Sequence, residues 1–124
     1  MALIEYDVYK QKLRDLGPEL DKITAALDID TAKQEAARLE DETAQDGFWN
    51  DLARSQKVQQ RLKQLQNKIT RHEKLIGTWE DLTALCEMGQ EEDDADILEE
   101  LKADYAALEE KVEETRMTTL LSGE

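Results

Sequence analysis

The chain has one cysteine, one histidine, one proline and five glycines among 124 residues, and each scarcity closes off a class of protein. A lone Cys86 excludes a disulfide framework, and its place on an apolar line reads as a small buried core residue. A lone His72 leaves no set of histidines and cysteines at metal-ligand spacing, so no metal and no cofactor is expected. With few glycines and no phosphate-cradling glycine loop, nucleotide chemistry has no anchor. Runs of β-branched residues are absent, which leaves a sheet without support. No apolar stretch approaches the ~20 residues of a membrane span, and the start of the chain carries no signal-peptide pattern. A cytoplasmic, all-α protein is expected, with neither membrane nor DNA as partner.

Ala, Leu, Glu, Lys and Gln, all strong helix formers, supply the bulk of the chain. The organising stretch is 50–118, which reads as a long helical hairpin. Val58, Leu62, Leu65, Ile69, Ile76, Trp79 and Cys86 alternate in steps of three and four, a heptad seam in which His72 and Thr83 are the polar members. Leu75, Leu82 and Leu85 widen the stripe. Met88-Gly89 is expected to stop the helix, with Gly89 in the left-handed C-terminal position. After the acidic run Glu91, Glu92, Asp93, Asp94, the seam resumes at Leu98, Leu101, Tyr105, Leu108 and Val112. So short a connection makes the second helix antiparallel to the first. About 38 residues at ~1.5 Å each give a rod of roughly 57 Å, so the fold class is an elongated all-α bundle built on an antiparallel coiled-coil hairpin. Residues 1–124 are read as a single domain.

The N-terminal helices occupy 1–45. The first carries Tyr6, Leu13, Leu16, Leu20, Ile23 and Leu27, and Gly17-Pro18 is expected to kink it without splitting it. After Asp28-Ile29-Asp30, a helix over 31–43 is expected, capped by Asp30 or Thr31, with Ala32, Ala36 and Leu39 as its narrow apolar line. In Gln45-Asp46-Gly47-Phe48-Trp49-Asn50-Asp51, two adjacent aromatics precede Asn50, the expected cap of the long helix. Phe48 and Trp49 cannot share one stripe: one is expected to close the base of the hairpin and the other to pack on a neighbouring element or a missing domain, with a nucleobase-stacking site as the alternative.

Net charge is −14, unevenly spread. Between Asp51 and Ile76, seven bases face two acids; between Gly77 and Glu114, fifteen acids face Lys102 and Lys111. The first reading is that the hairpin helices choose each other by flanking charge. The competing reading, a basic strip touching nucleic acid, is weakened by an acidic partner helix. Asp93, Asp94 and Asp96 lack the glycine and closing glutamate of a calcium loop and read as solvated or capping acids. No catalytic constellation can be assembled, so this segment is not read as an enzyme.

Ala37-Arg38-Leu39-Glu40 leading into Gly47-Phe48-Trp49-Asn50-Asp51, the Glu91 to Asp94 turn, Leu108-Glu109-Glu110-Lys111-Val112-Glu113 and Leu121-Ser122-Gly123-Glu124 together resemble the N-terminal domain of the bacterial peptide chain release factor 2 family, a class I release factor. The resemblance is collinear over nearly the whole chain. It implies translation termination, with full-length members recognising UAA and UGA through Ser-Pro-Phe and promoting peptidyl-tRNA hydrolysis through Gly-Gly-Gln. Neither tripeptide occurs here, so the chain is expected to be a first domain without decoding or catalytic parts. Leu27-Asp28 resembles the pair where many such genes use programmed frameshifting.

The resemblance further implies a docking arm towards the ribosomal stalk base and GTPase-associated region, with the class II release factor GTPase as a further partner. Met88, Gly89, Glu91, Glu92, Asp93 and Asp94 are then the candidate partner contacts at the hairpin tip. Phe48, Trp49, Met117, Leu120 and Leu121 are the candidates for packing against the remaining domains. A free-standing coiled-coil adaptor or chaperone, and a tRNA-binding helical arm, stand as alternatives.

Overall fold

The computed structural model describes residues 2–122, the side chains of Ala2, Leu120 and Ser122 excepted. Four α-helices carry almost all of it: α1 (Ala2–Leu27), α2 (Ile29–Thr43), α3 (Leu52–Glu92) and α4 (Ala95–Ser122), with a 3-10 helix at Phe48–Asn50. No strand occurs among the described residues. The all-α bundle expected from composition is the observed fold class. The chain divides into two compact units, one of residues Met1–Leu27 and Lys74–Glu124, the other of Asp28–Glu73.

The first unit is a three-helix packing. Its core holds Tyr6, Leu13, Leu16, Leu20 and Ile23 of α1, Leu75, Leu82 and Cys86 of α3, and Leu98, Leu101, Tyr105, Leu108 and Val112 of α4. The closest helix pair is α1 with α4, so α1 is a full member of the core and not a layer added to a two-helix seam. Directions follow from the cross-links. Glu5 meets Lys102 at 2.6 Å, Tyr9 and Tyr105 stack edge to face at 5.5 Å, and Glu19 meets Arg116 at 2.9 Å, so α1 and α4 run parallel. Leu13 pairs with Trp79 and Tyr6 with Cys86, so α3 runs against α1.

Pro18 lies inside a continuous α1. Proline cannot donate to the carbonyl four residues back, that of Arg14. One residue before it, the Leu13 carbonyl accepts the Trp79 indole N–H at 2.7 Å. The same indole passes beside Gly17, where a Cβ would lie 3.4 Å from Trp79 Cζ2 in ordinary van der Waals contact.

In the second unit, Ala32, Ala36 and Leu39 of α2 pack on Leu65, flanked by Val58, Leu62 and Ile69 of α3. Two junctions differ from expectation. Helix α2 starts at Ile29, directly after Asp28, whose left-handed backbone (φ 52°) makes the bend in one residue; neither Asp30 nor Thr31 caps it. Ile29 is buried as a result. Asp51, not Asn50, caps α3: its Oδ1 accepts the Arg54 N–H at 3.1 Å, because Asn50 is spent in the 3-10 turn. The basic stretch of α3 finds acids on α2, where Arg54 pairs with Glu42 and Arg61 with Glu35. Recorded ion pairs of α4 reach Glu5 and Glu19 of α1.

Candidate docking surface at the α3–α4 turn

The expected helix stop at Met88-Gly89 is not where α3 ends. The helix runs on to Glu92, and Asp93 takes the left-handed position with φ 50°. Asp93 N–H donates to the Gln90 carbonyl at 3.2 Å and Asp94 N–H to the Gly89 carbonyl at 3.1 Å. That pair is the 5→2 and 6→1 pattern of a Schellman end, here built on an aspartate instead of a glycine. Asp94 then opens α4: its Oδ1 accepts from the amides of Asp96 (2.8 Å) and Ile97 (3.1 Å), and its carboxylate suits a helix N-terminus. The entire reversal takes two residues.

Gly89 has a different duty from capping. It is buried, and a Cβ on it would fall 2.2 Å from the Tyr6 hydroxyl and 2.7 Å from Ile97 Cγ2. The missing side chain lets the Tyr6 ring reach the turn, where its hydroxyl donates to the Asp94 carbonyl at 2.5 Å. Burial, then the nearby Asp94, raise the Tyr6 pKa, so this donor stays protonated. Cys86 Sγ points to the Tyr6 carbonyl at 3.7 Å, and burial pushes the thiol pKa up, away from reactivity. Gln90 Nε2 donates to Asp7 Oδ1 at 2.6 Å, a second tie to α1.

Of the six tip candidates, Met88, Glu91, Glu92 and Asp93 are exposed, while Gly89 is buried and Asp94 is half-buried. The first four form the outward surface; the last two shape it. Sequence reasoning missed Tyr6 as a member of this site. It lies 88 residues from Asp94, and nothing local in either stretch marks the pairing.

The second group of candidates also divides. Phe48 is buried at 1% exposure and Trp49 stands out at 58%, the two rings edge to face at 5.0 Å. Gly47, with φ 81°, leads into the 3-10 turn whose successive residues carry the two rings, and the Arg54 guanidinium lies 5.6 Å from the Phe48 ring centre. Met117 and Leu121 are exposed, and the Leu120 side chain lies outside the described residues. Met117 sits on a face of α4 with Ala106, Glu109, Glu110, Glu113 and Glu114. Among the described residues, no three His, Cys, Asp or Glu side chains converge as metal ligands do, and no helix is long and apolar enough to cross a membrane.

Comparison with known proteins adds a family to this geometry. The PCRF domain matches residues 32–124. Peptide chain release factor 2 of Streptomyces avermitilis is 35% identical over 124 residues, all of this chain and 33% of that protein. The protein of the same name in Acidothermus cellulolyticus is 38% identical over 114 residues, 92% of this chain and 31% of the relative. That of Salinispora tropica is 34% identical over 116 residues, 94% and 31% respectively. The chain thus spans about a third of the length of these relatives. No solved structure gives a significant match.

Proposed function

This chain belongs to the PCRF-domain family of peptide chain release factors, and we propose that it is the ribosome-docking arm of a translation termination factor. The observation carrying the proposal is the α3–α4 turn. The Tyr6 hydroxyl holds its backbone at the Asp94 carbonyl, the Gln90 side chain adds a tie to the Asp7 carboxylate of α1, and the turn offers Met88, Glu91, Glu92 and Asp93 outward. A turn held in one conformation loses little entropy on binding. Its acids suit a basic protein surface better than bare RNA, and its methionine adds an adaptable apolar contact.

In this reading the turn meets the ribosomal stalk base and GTPase-associated region in the cytoplasm, and comes within reach of the class II release factor GTPase. Trp49, Met117 and Leu121 are the positions that pack against the remaining domains of such a factor. Reading of UAA and UGA, and peptidyl-tRNA hydrolysis, belong to the Ser-Pro-Phe and Gly-Gly-Gln parts, which these residues do not contain. The test is co-sedimentation of the 124-residue chain with bacterial ribosomes. Wild-type chain is expected to pellet with them, and the triple variant Glu91→Gln, Glu92→Gln, Asp93→Asn to lose at least about tenfold in affinity, the scale of a few charge-assisted contacts. Equal binding by the variant would remove the turn from the contact.

A further inference from the structure

We infer that the outward face of α3 between Gln56 and Arg71 binds the phosphate backbone of RNA. No acid stands between Asp51 and Glu73, whereas Arg54, Lys57, Arg61, Lys63, Lys68 and Arg71 do. Helix α2 engages part of this charge. Glu42 holds Arg54, and Glu35 holds Arg61, whose hydrogen bond is the main cause lowering the Glu35 pKa, with Lys68 among the lesser causes. Lys57, Lys63 and Arg71 are exposed. Arg71 Nε turns back to the Asn67 carbonyl at 3.4 Å while its side chain stays at the surface.

At 3.6 residues per turn, these three cations share about 120° of helix surface with Gln56, Gln60, Gln64 and Asn67, all exposed. Lys57, Gln64 and Arg71 stand one heptad apart on a line roughly 21 Å long. The face therefore consists of cations and amides alone. Acids are absent from it, and the apolar residues Val58, Leu62, Leu65 and Ile69 all point to the α2 side.

That composition selects among partners. A specific protein interface is built on a desolvated apolar or aromatic core, which this face lacks. Lys, Arg, Gln and Asn are the side chains that hold phosphate and sugar oxygens. The chain's acidic excess does not lie in this unit: residues 28–73 hold nine acids against eight bases, and the rest of the chain 21 against eight. The surface uses residues other than those of the acidic turn. The inference rests on the release-factor reading only in that ribosomal RNA would be the natural polyanion.

Titration of the ¹⁵N-labelled 124-residue chain with a mixed-sequence RNA duplex of about one helical turn of phosphates on each side tests it, because chemical shifts locate even weak binding. Amide shifts are expected to concentrate between residues 56 and 71. With three cations engaged, the log–log salt slope is expected near −2.7, from about 0.9 per phosphate. The variant Lys57→Gln, Lys63→Gln, Arg71→Gln, all surface positions, is expected to keep its remaining spectrum and lose the response. The Glu91→Gln, Glu92→Gln, Asp93→Asn variant is expected to respond to RNA as wild type does, so failure of the acidic turn on ribosomes leaves this result standing. No shifts, shifts that persist in the lysine–arginine variant, or shifts centred on 88–94 would overturn the proposal. So would an equal response to a polyglutamate peptide, which would make the face a reader of acidic protein.

Discussion

Tyr6 and Asp94, 88 residues apart, are joined by a 2.5 Å hydrogen bond from the tyrosine hydroxyl to the aspartate backbone carbonyl. The same carbonyl receives the Leu98 N–H at 3.2 Å, so it serves both the first turn of α4 and the side chain from α1. Tyr6→Phe keeps the ring in its buried place and removes only the donor. A loss of about 1 kcal/mol is expected, the usual net worth of such a bond, read as a shift of the denaturation midpoint at unchanged m-value. Hydrogen exchange of the amides over 93–97 is expected to quicken in the same variant.

Gly89 and Gly77 give opposite outcomes for one substitution. Both lie inside α3, where alanine is favoured over glycine by roughly 0.8–1 kcal/mol. Nothing lies within 4 Å of a Cβ on Gly77, so Gly77→Ala is expected to stabilise. At Gly89 the Cβ would stand 2.6 Å from Tyr6 Cζ, so Gly89→Ala is expected to destabilise by about 1–3 kcal/mol through overpacking. Thermal melts of the two variants side by side check the sign of each.

Adjacent aromatics at the α2–α3 junction separate stability from surface. Phe48→Ala empties a buried site and is expected to cost about 3–5 kcal/mol. Trp49→Ala, at an exposed ring whose described contact is its edge-to-face pairing with Phe48, is expected to cost no more than about 1.5 kcal/mol. Chemical denaturation monitored by circular dichroism measures both, since it does not depend on tryptophan emission.

Acid sensitivity should show two windows. His72 is half-buried, and burial followed by the nearby Lys33 lowers its pKa below the ordinary histidine value of 6.5. The unfolded chain therefore binds a proton before the folded one does, so stability falls as pH drops from about 6.5 through the folded value. Glu35, lowered by its hydrogen bond from Arg61, contributes stability that is present above its unfolded pKa of 4.5 and lost as pH falls through its folded value. His72→Gln is expected to flatten the upper window only, and Glu35→Gln the lower, in stability measured against pH.

Periodicity made the helices legible. Tyr6, Leu13, Leu16, Leu20 and Ile23 were readable as one face of α1, and Leu98 to Val112 as one face of α4, because burial on a helix repeats every three or four residues. The ends were harder. Gly89 carries the usual mark of a helix stop, yet the turn forms four residues later because Asp94 caps α4 and Tyr6 needs the space above the glycine. Asp28 makes the α1–α2 bend in a left-handed conformation that no local pattern announces. The acidic run at 91–94 was visible as a candidate surface; that Asp94 belongs to its scaffold depends on contacts with residue 6.

The most direct test of the docking account is to place a photo-crosslinking amino acid at Glu92, expose the chain to bacterial ribosomes and identify what is attached. The same group at Gln11, on exposed α1, serves as comparison. The account predicts that the Glu92 probe crosslinks to protein of the stalk base and that the Gln11 probe does not. Crosslinks from Glu92 spread over the ribosome as they are from Gln11, or none from a chain that co-sediments, would contradict it.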